Sequence, residues 1–292
     1  MDNKQPDLTR HGKKLAFGRV LESGPLSLIH CEVLGQPVSF CVNKEKDPIQ
    51  RSHRNGTFYE LNELEALMPL FPEGGTFVDI GANVGNHSLF AGLFLKAGRV
   101  IPFEPNRLAY DLLVNNMLVN GLRDRVDLSK LGVGLSDEQS GGFAMEKRRR
   151  NLGGAKMLAG EGDLDVYRAD DLLSEVEPDF IKIDVEGMEI KVISGLSGVL
   201  ERCRPILMIE VDIENEAAFQ DWVQEVGYAS LNVYQRYRSN KNHLIVDKDQ
   251  LKNLQAKFTP PLSERQADKA RRQKSAAMKA KEEGETLVGA EN

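Results

Sequence analysis

The chain has 292 residues, 41% hydrophobic and 28% charged, enough to bury one sizeable core or one core plus a small accessory subdomain. Its 38 basic and 44 acidic residues leave a net charge of −6, which argues against a nucleic-acid surface as the main partner and leaves room only for local anion sites. No run approaches the roughly 18 apolar residues of a membrane span, and MDNKQPDLTRHGKK lacks an apolar signal core, so a soluble, cytoplasmic protein without a membrane span is expected.

Cys31, Cys41 and Cys203 are widely spaced and include no CxxC pair, which fits buried reduced thiols better than disulfides or a zinc site. Between Ala16 and Val42, two alternating runs, LSLIHCEVL and VSFCV, flank GQP and predict a small β-hairpin cap. From Leu61 a helical pattern (Leu64, Leu67, Met68) leads to PEGG, after which short apolar runs alternate with helical ones. The strand-like runs are TFVDI, RVIPF, a longer VDLSKLGVGL, DFIKID and PILMIEV. The helical stretches carry Leu89, Phe90, Leu93 and Phe94; Leu108, Leu112 and Leu113; Val192, Ile193 and Leu196; and Phe219, Trp222, Val223 and Val226. Gly98, Gly121 and Gly227 fall where helix C-caps belong. Such alternation predicts a doubly wound, mostly parallel sheet, with ligands bound outside the carboxyl ends of its strands. Three regions are expected: a 1–60 extension with the cap, a 61–246 α/β domain, and a charged 247–292 tail, disordered or a solvated helix.

Three strand ends carry chemistry. In FVDIGANVGNHS, Asp79 nearly ends a strand, Gly81 and Gly85 permit a tight turn, and HSLFAGLFL opens a helix toward the crevice. This is a nucleotide-type loop, but Asn83 stands where a dinucleotide fingerprint has its second glycine, and a plain strand-to-helix turn explains two glycines alone. Glu104, ending the next strand, has two acceptor oxygens to match the two hydroxyls of a ribose. Loop and acid together point to an adenosine-containing ligand. Asp184 follows the buried IKI strand, with Glu186 two residues on and Glu210 on the neighbouring strand at similar height. Helix capping, or pairing with Lys182 and Lys191, is the simpler use of such acids, and least so for Asp184.

The motifs FVDIGANVGNHSLF, IPFEPN, NNMLVNGL, GVGLSDEQSG, RADDLL, DFIKIDVEGMEIKVISGL and RPILMIEV, in that order across roughly residues 55 to 230, resemble the FkbM family of S-adenosylmethionine-dependent methyltransferases. The resemblance implies a class I methyltransferase fold, a Rossmann-like seven-stranded sheet with helices on both faces. It implies that Asp79, Gly81, Asn83 and Gly85 line the methionine end of S-adenosyl-L-methionine, that Glu104 holds the ribose, and that Leu135, Ser136 and Asp137 border the adenine. Asn86 and Asn106 join the same cofactor-binding set. It also implies O-methylation of a hydroxyl on a sugar, glycolipid or polyketide-type acceptor.

An acceptor hydroxyl needs a base or a divalent metal beside it, and Asp184 and Glu210 suit either role. Two oxygen ligands are few for a metal, so a metal-free base is the preferred expectation, with Glu186 and His87 as further candidates. EKRRRN (146–151) and VYQRYRSNKN (233–242) are either solvated loops or readers of a phosphorylated or acidic glycan, with Tyr234 and Tyr237 stacking on sugar faces. Two competing readings are a NAD-dependent oxidoreductase, against which Asn83 and the acid pair speak, and a non-catalytic binding module, against which Asp79, Glu104 and Asp184 speak.

Overall fold

A computed structural model describes residues 24–146, 148, 152, 154–160 and 162–261. Residues 1–23 of the expected extension, all of EKRRRN except Glu146 and Arg148, and residues 262–292 of the expected tail lie outside the described residues.

The chain starts with the expected hairpin, β1 (Ser27–Val33) and β2 (Gln36–Val42), joined through Leu34 and Gly35 at φ 48° and 79°. Two consecutive left-handed residues make the tight turn whose twist matches paired strands. The hairpin does not sit apart. Val38 and Phe40 enter the main core, and the buried Asn116 accepts from Cys41 N at 2.7 Å and donates to Val84 O at 2.8 Å, which fastens β2 to the glycine loop. Helix α1 (Pro48–Arg54) follows, its N-terminus capped by Asp47 with proline in the first turn, and then α2 (Leu61–Leu67), which buries Leu64 and Leu67.

Strand β3 (Thr76–Ile80) leads through the glycine loop to α3 (Asn86–Leu93), and β4 (Arg99–Phe103) leads to α4 (Arg107–Val119). A second sheet comprises β5 (Gly134–Ser136), β6 (Ser140–Met145), β7 (Met157–Ala159) and β8 (Leu164–Arg168), in the order β5-β8-β6-β7. After α5 (Ala169–Leu172) come β9 (Phe180–Ile183), α6 (Glu189–Ser194), α7 (Ser197–Cys203), β10 (Ile206–Asp212), α8 (Glu216–Glu225), β11 (Tyr228–Tyr234), β12 (Asn240–Asp247) and α9 (Leu251–Lys257).

The main sheet runs β11-β12-β10-β9-β3-β4, with β4, β3, β9 and β10 parallel and β12 antiparallel to both neighbours. The fold is therefore α/β, but six described strands make up this mixed sheet instead of the expected seven. The missing strand has a local cause. Asp127 accepts from Ser129 N and Oγ and winds Leu128–Lys130 into a 3₁₀ turn, and Gly132 at φ 81° breaks the run again. Of the expected VDLSKLGVGL strand only two isolated bridges survive, Val126 with Val100 of β4 and Leu131 with Glu104 just past it, and its end joins the second sheet as β5.

Alternation along the buried strands supplies both faces of the sheet. Phe77 and Phe180 stack at 5.1 Å on the face covered by α2, α3 and α4, while Val78, Ile80, Ile181 and Ile183 face Val192, Ile193 and Val199 of α6 and α7. Leu108, expected on the apolar stripe of α4, is 59% exposed. Gly121 and Gly227 adopt the left-handed conformation after their helices, but past α3 it is Lys96 that does so, not Gly98. The packed chain also continues past the expected boundary at 246: Leu254 of α9 is buried in the core. The three cysteines are free, Cys41 buried and Cys31 and Cys203 half-buried. No helix among the described residues is long and apolar enough to cross a membrane.

Candidate active site

The chain leaves β3 for β4 on one side and returns to β9 on the other, so the carboxyl ends of β3 and β9 frame a switch point. Gly81 sits there at φ 78°. A Cβ on it would lie 1.8 Å from the carbonyl oxygen of Asp184, so only glycine lets the loop lie against the end of β9. Asn83 also adopts the left-handed conformation, at φ 50°.

Glu104 is 6% exposed and accepts from Asn83 N and Asn106 N, each at 2.7 Å. Burial pushes its carboxyl up to about 7 against the pull of those two bonds. It forms the floor of a cleft of about 600 Å³, open mouth included, whose walls include Phe103, Val133, Leu135, Met145 and Met157. A carboxylate below an apolar slot fits an adenosine, the ring between aliphatic walls and the ribose on the acid. Asn83, 7% exposed, keeps its side-chain oxygen without a hydrogen-bond partner at this cleft.

The other expected cofactor residues divide. Asp79 is fully buried; it accepts from Ser88 Oγ at 2.6 Å and lies 3.6 Å from Lys182 Nζ. Gly85 packs beside Leu113. Asn86 spends its side chain on Tyr59 and His53, and Asn106 caps α4 by accepting from Leu108 N. Leu135 lines the cleft, whereas Ser136 donates to Asp137 at 2.9 Å and neither residue is among the lining. The side chains of Asn86, Asn106, Ser136 and Asp137 thus hydrogen-bond within the protein, and of the four only Asn86 lines the adjoining crevice.

A second cavity joins the cleft through Gly81, Asn83, Asp184 and Glu186 and brings in Glu60, His87, Lys182 and Glu210. Lys182 Nζ donates to Gly81 O at 2.9 Å and lies 3.3 Å from Asp184 Oδ2, the pairing that the simpler reading of these acids anticipated. Burial disfavours this ammonium, yet Asp184 and Asp79 outweigh it and hold its pKa above the ordinary lysine range. Burial, then Asp184, Glu60 and Glu186, push Glu210 up to about 9; burial and then Glu63 push Glu60 up to about 8; burial, Asp184 and Asp212 push Glu186 up to about 7. At neutral pH Glu210 is therefore an acid holding its proton, with Asn240 donating to Oε1. His87, 8% exposed, is lowered to about 3 by burial and then by Lys182, too weak a base to hold a proton at neutral pH.

These carboxyls fix a pH dependence. An unfolded glutamate releases its proton near 4.5 and folded Glu210 near 9, so between those values the folded state holds the extra proton, and stability drains as pH rises. The melting temperature of the free protein is expected to fall from pH 6 to pH 9, and Glu210→Gln to flatten the upper part of that fall. A wild-type melting temperature rising over this range would count against the crowded-acid geometry.

Residues 79–236, more than half of the chain, match the methyltransferase FkbM domain. The chain belongs to the FkbM methyltransferase family. Hexuronic acid methyltransferase AglP of Haloferax volcanii is 28% identical over 149 residues, 49% of this chain and 58% of its own length. Methyltransferase sdnD of Sordaria araneosa is 25% identical over 163 residues, 43% of this chain and 61% of its own length. The chain spans less than two thirds of either curated relative. Among solved structures, methyltransferase FkbM of Methylobacillus flagellatus KT is similar at 18% identity and a TM-score of 0.42, over 59% of this chain and 43% of that one.

Several residues of the crevice in this FkbM-family chain went unforeseen. Glu60 comes from the segment before α2, its side chain 7% exposed and 3.8 Å from His87 Nε2. Tyr59 stands at the rim, while Asn240 of β12 enters from the 233–242 stretch already singled out. An acid preceded by Phe58 and Tyr59 just ahead of a helical pattern was the one available signal for Glu60. Tyr234, expected to stack on sugar, is buried in the core; Tyr237 is half-exposed at the rim, its hydroxyl 3.3 Å from that of Tyr59. Among the described residues no group of three or more His, Cys, Asp or Glu could hold a metal ion.

Proposed function

We propose that this protein transfers a methyl group from S-adenosyl-L-methionine to an oxygen of a sugar, glycolipid or polyketide-type acceptor, with a sugar hydroxyl favoured. The observation that carries the reading is continuity: the Glu104 cleft opens through Gly81 and Asp184 into the acid-lined crevice, so a cofactor held in one can face an acceptor held in the other.

When bound, the cofactor supplies a methyl already activated by its sulfonium. Glu104 holds the ribose: each carboxylate oxygen takes one backbone N–H and keeps a second lone pair for a hydroxyl. The aliphatic walls exclude water from the adenosine end. Asn83, which lines both cavities, has a buried side-chain oxygen without a hydrogen-bond partner. Asp184, oriented by Lys182, accepts the proton that leaves the acceptor oxygen, while protonated Glu210 and neutral His87 serve as hydrogen-bonding groups that position it.

Glu104→Ala is expected to weaken S-adenosylhomocysteine binding by about 1.5–3 kcal/mol, on the scale of hydrogen bonds to charged groups. Glu104→Gln, which keeps one acceptor for the loop, is expected to lose less. Unchanged calorimetric affinity in both variants would remove Glu104 from the ribose site.

The reaction is tested with isotope-labelled cofactor and a panel of neutral sugars, oligosaccharides and hexuronic acids, the last included because AglP is described as a hexuronic acid methyltransferase. Alkali-stable label, an ether, is the expected product. Label found only as an alkali-labile ester would move the acceptor from a hydroxyl to a carboxylate.

A further inference from the structure

A third cavity, open to solvent and about 1170 Å³ with its mouth, adjoins the crevice on the side away from the Glu104 cleft. It shares Pro48, Tyr59, Glu60 and Tyr237 with the crevice and no residue with the cleft. Cleft, crevice and outer cavity therefore follow one another in a row. Their charges differ along that row. The crevice crowds Glu60, Asp184, Glu186 and Glu210 together, and both cations of its lining are already paired, Lys182 with Asp79 and Asp184 and Arg148 with Glu146. An anionic group placed there meets four acidic side chains against those two paired cations.

The outer cavity reverses this. Its charged lining is Arg51 and Arg236, with Glu60 at the boundary. Arg51 is exposed on α1. Arg236 lies 4.8 Å over the ring of Tyr59 and 3.6 Å from Glu63 Oε1, so a half-buried ring and a carboxylate hold its guanidinium in place at the wall. Guanidinium groups held this way suit an oxyanion, which takes two parallel N–H bonds from one fork. At the boundary, Tyr59 and Tyr237 present paired hydroxyls beside ring faces, a surface for a sugar spanning both cavities.

From this row of cavities we propose that the outer cavity is a second acceptor subsite, taking an oxyanion, phosphate or carboxylate, borne next to the reacting sugar unit and read by Arg51 and Arg236. The proposal rests on the methyl-transfer reading above. It adds a polarity to that site: the reacting unit lies inside and uncharged, and the anion lies outside.

The test is calorimetry on protein saturated with S-adenosylhomocysteine, using glucose 1-phosphate against glucose and cellobiouronic acid against cellobiose. At least one anionic probe is expected to bind about tenfold tighter or more than its neutral counterpart, and the tighter of the two names the anion. Arg51→Gln, an exposed change, is expected to erase most of that preference without altering S-adenosylhomocysteine affinity, and Arg236→Gln to do the same. Equal binding of charged and neutral probes, or a preference that survives both substitutions, overturns the subsite. Failure of S-adenosylhomocysteine to bind at all overturns the cofactor reading instead, so the two failures are distinguishable.

Discussion

Asp184→Asn is expected to lower methyl transfer by roughly 10²–10⁴, the usual contribution of a positioned acid or base, once an acceptor supports turnover. The substitution keeps the shape of the side chain and removes its capacity to take a proton. Asp184 is the group best placed for this because the strand fixes it from two sides: its N–H donates to Ile80 O at 3.0 Å, and Lys182 Nζ holds its carboxylate at 3.3 Å. Its neighbours are less suited. Glu210 holds its own proton up to about pH 9, and His87 is pushed down to about 3. Losing the partner of Lys182 could also disturb the loop, so melting temperature and S-adenosylhomocysteine affinity are measured alongside. Near-wild-type turnover in Asp184→Asn would pass the base role to Glu186.

Gly81→Ala is expected to abolish cofactor binding and to lower the melting temperature. A residue other than glycine at φ 78° costs about 1–2 kcal/mol, which for a chain of this size is a fall of roughly 2–8 °C. The clash adds to this, since a Cβ 1.8 Å from Asp184 O forces the glycine loop away from β9. That movement separates the two halves of the proposed site, the cofactor loop and the base. The paired measurement is thermal unfolding with and without S-adenosylhomocysteine. A wild-type ligand-induced shift in Gly81→Ala would show that the loop tolerates the displacement and that its contact with Asp184 does not shape the cleft.

The grouping of Asp79, Glu104 and Asp184 was legible in the sequence because all three lie at or near the ends of short, largely apolar strands. Such strands fix which face and which end a residue occupies, so sequence alone places Asp79, Glu104 and Asp184 at one end of the sheet. Asn86 and Asn106 sat in the same motifs, but what an amide bonds to is decided by neighbours far along the chain: His53 and Tyr59 claimed one. Glu60 and Tyr59 were missed for the converse reason. They enter the crevice from the segment before α2, which contributes through tertiary packing and carries no strand-end signature. The seventh strand failed on turn chemistry. Apolar spacing in VDLSKLGVGL favours extended chain, while Asp127, through Ser129, and Gly132 favour turns, and the turns won.

The central claim, that the Glu104 cleft is built for the adenosine of a methyl donor, is tested most directly by titrating the wild-type protein with S-adenosylhomocysteine and, separately, with NAD. The account predicts saturable one-to-one binding of S-adenosylhomocysteine, weakened in Glu104→Ala, and no measurable heat with NAD. Saturable binding of NAD with none of S-adenosylhomocysteine would contradict it.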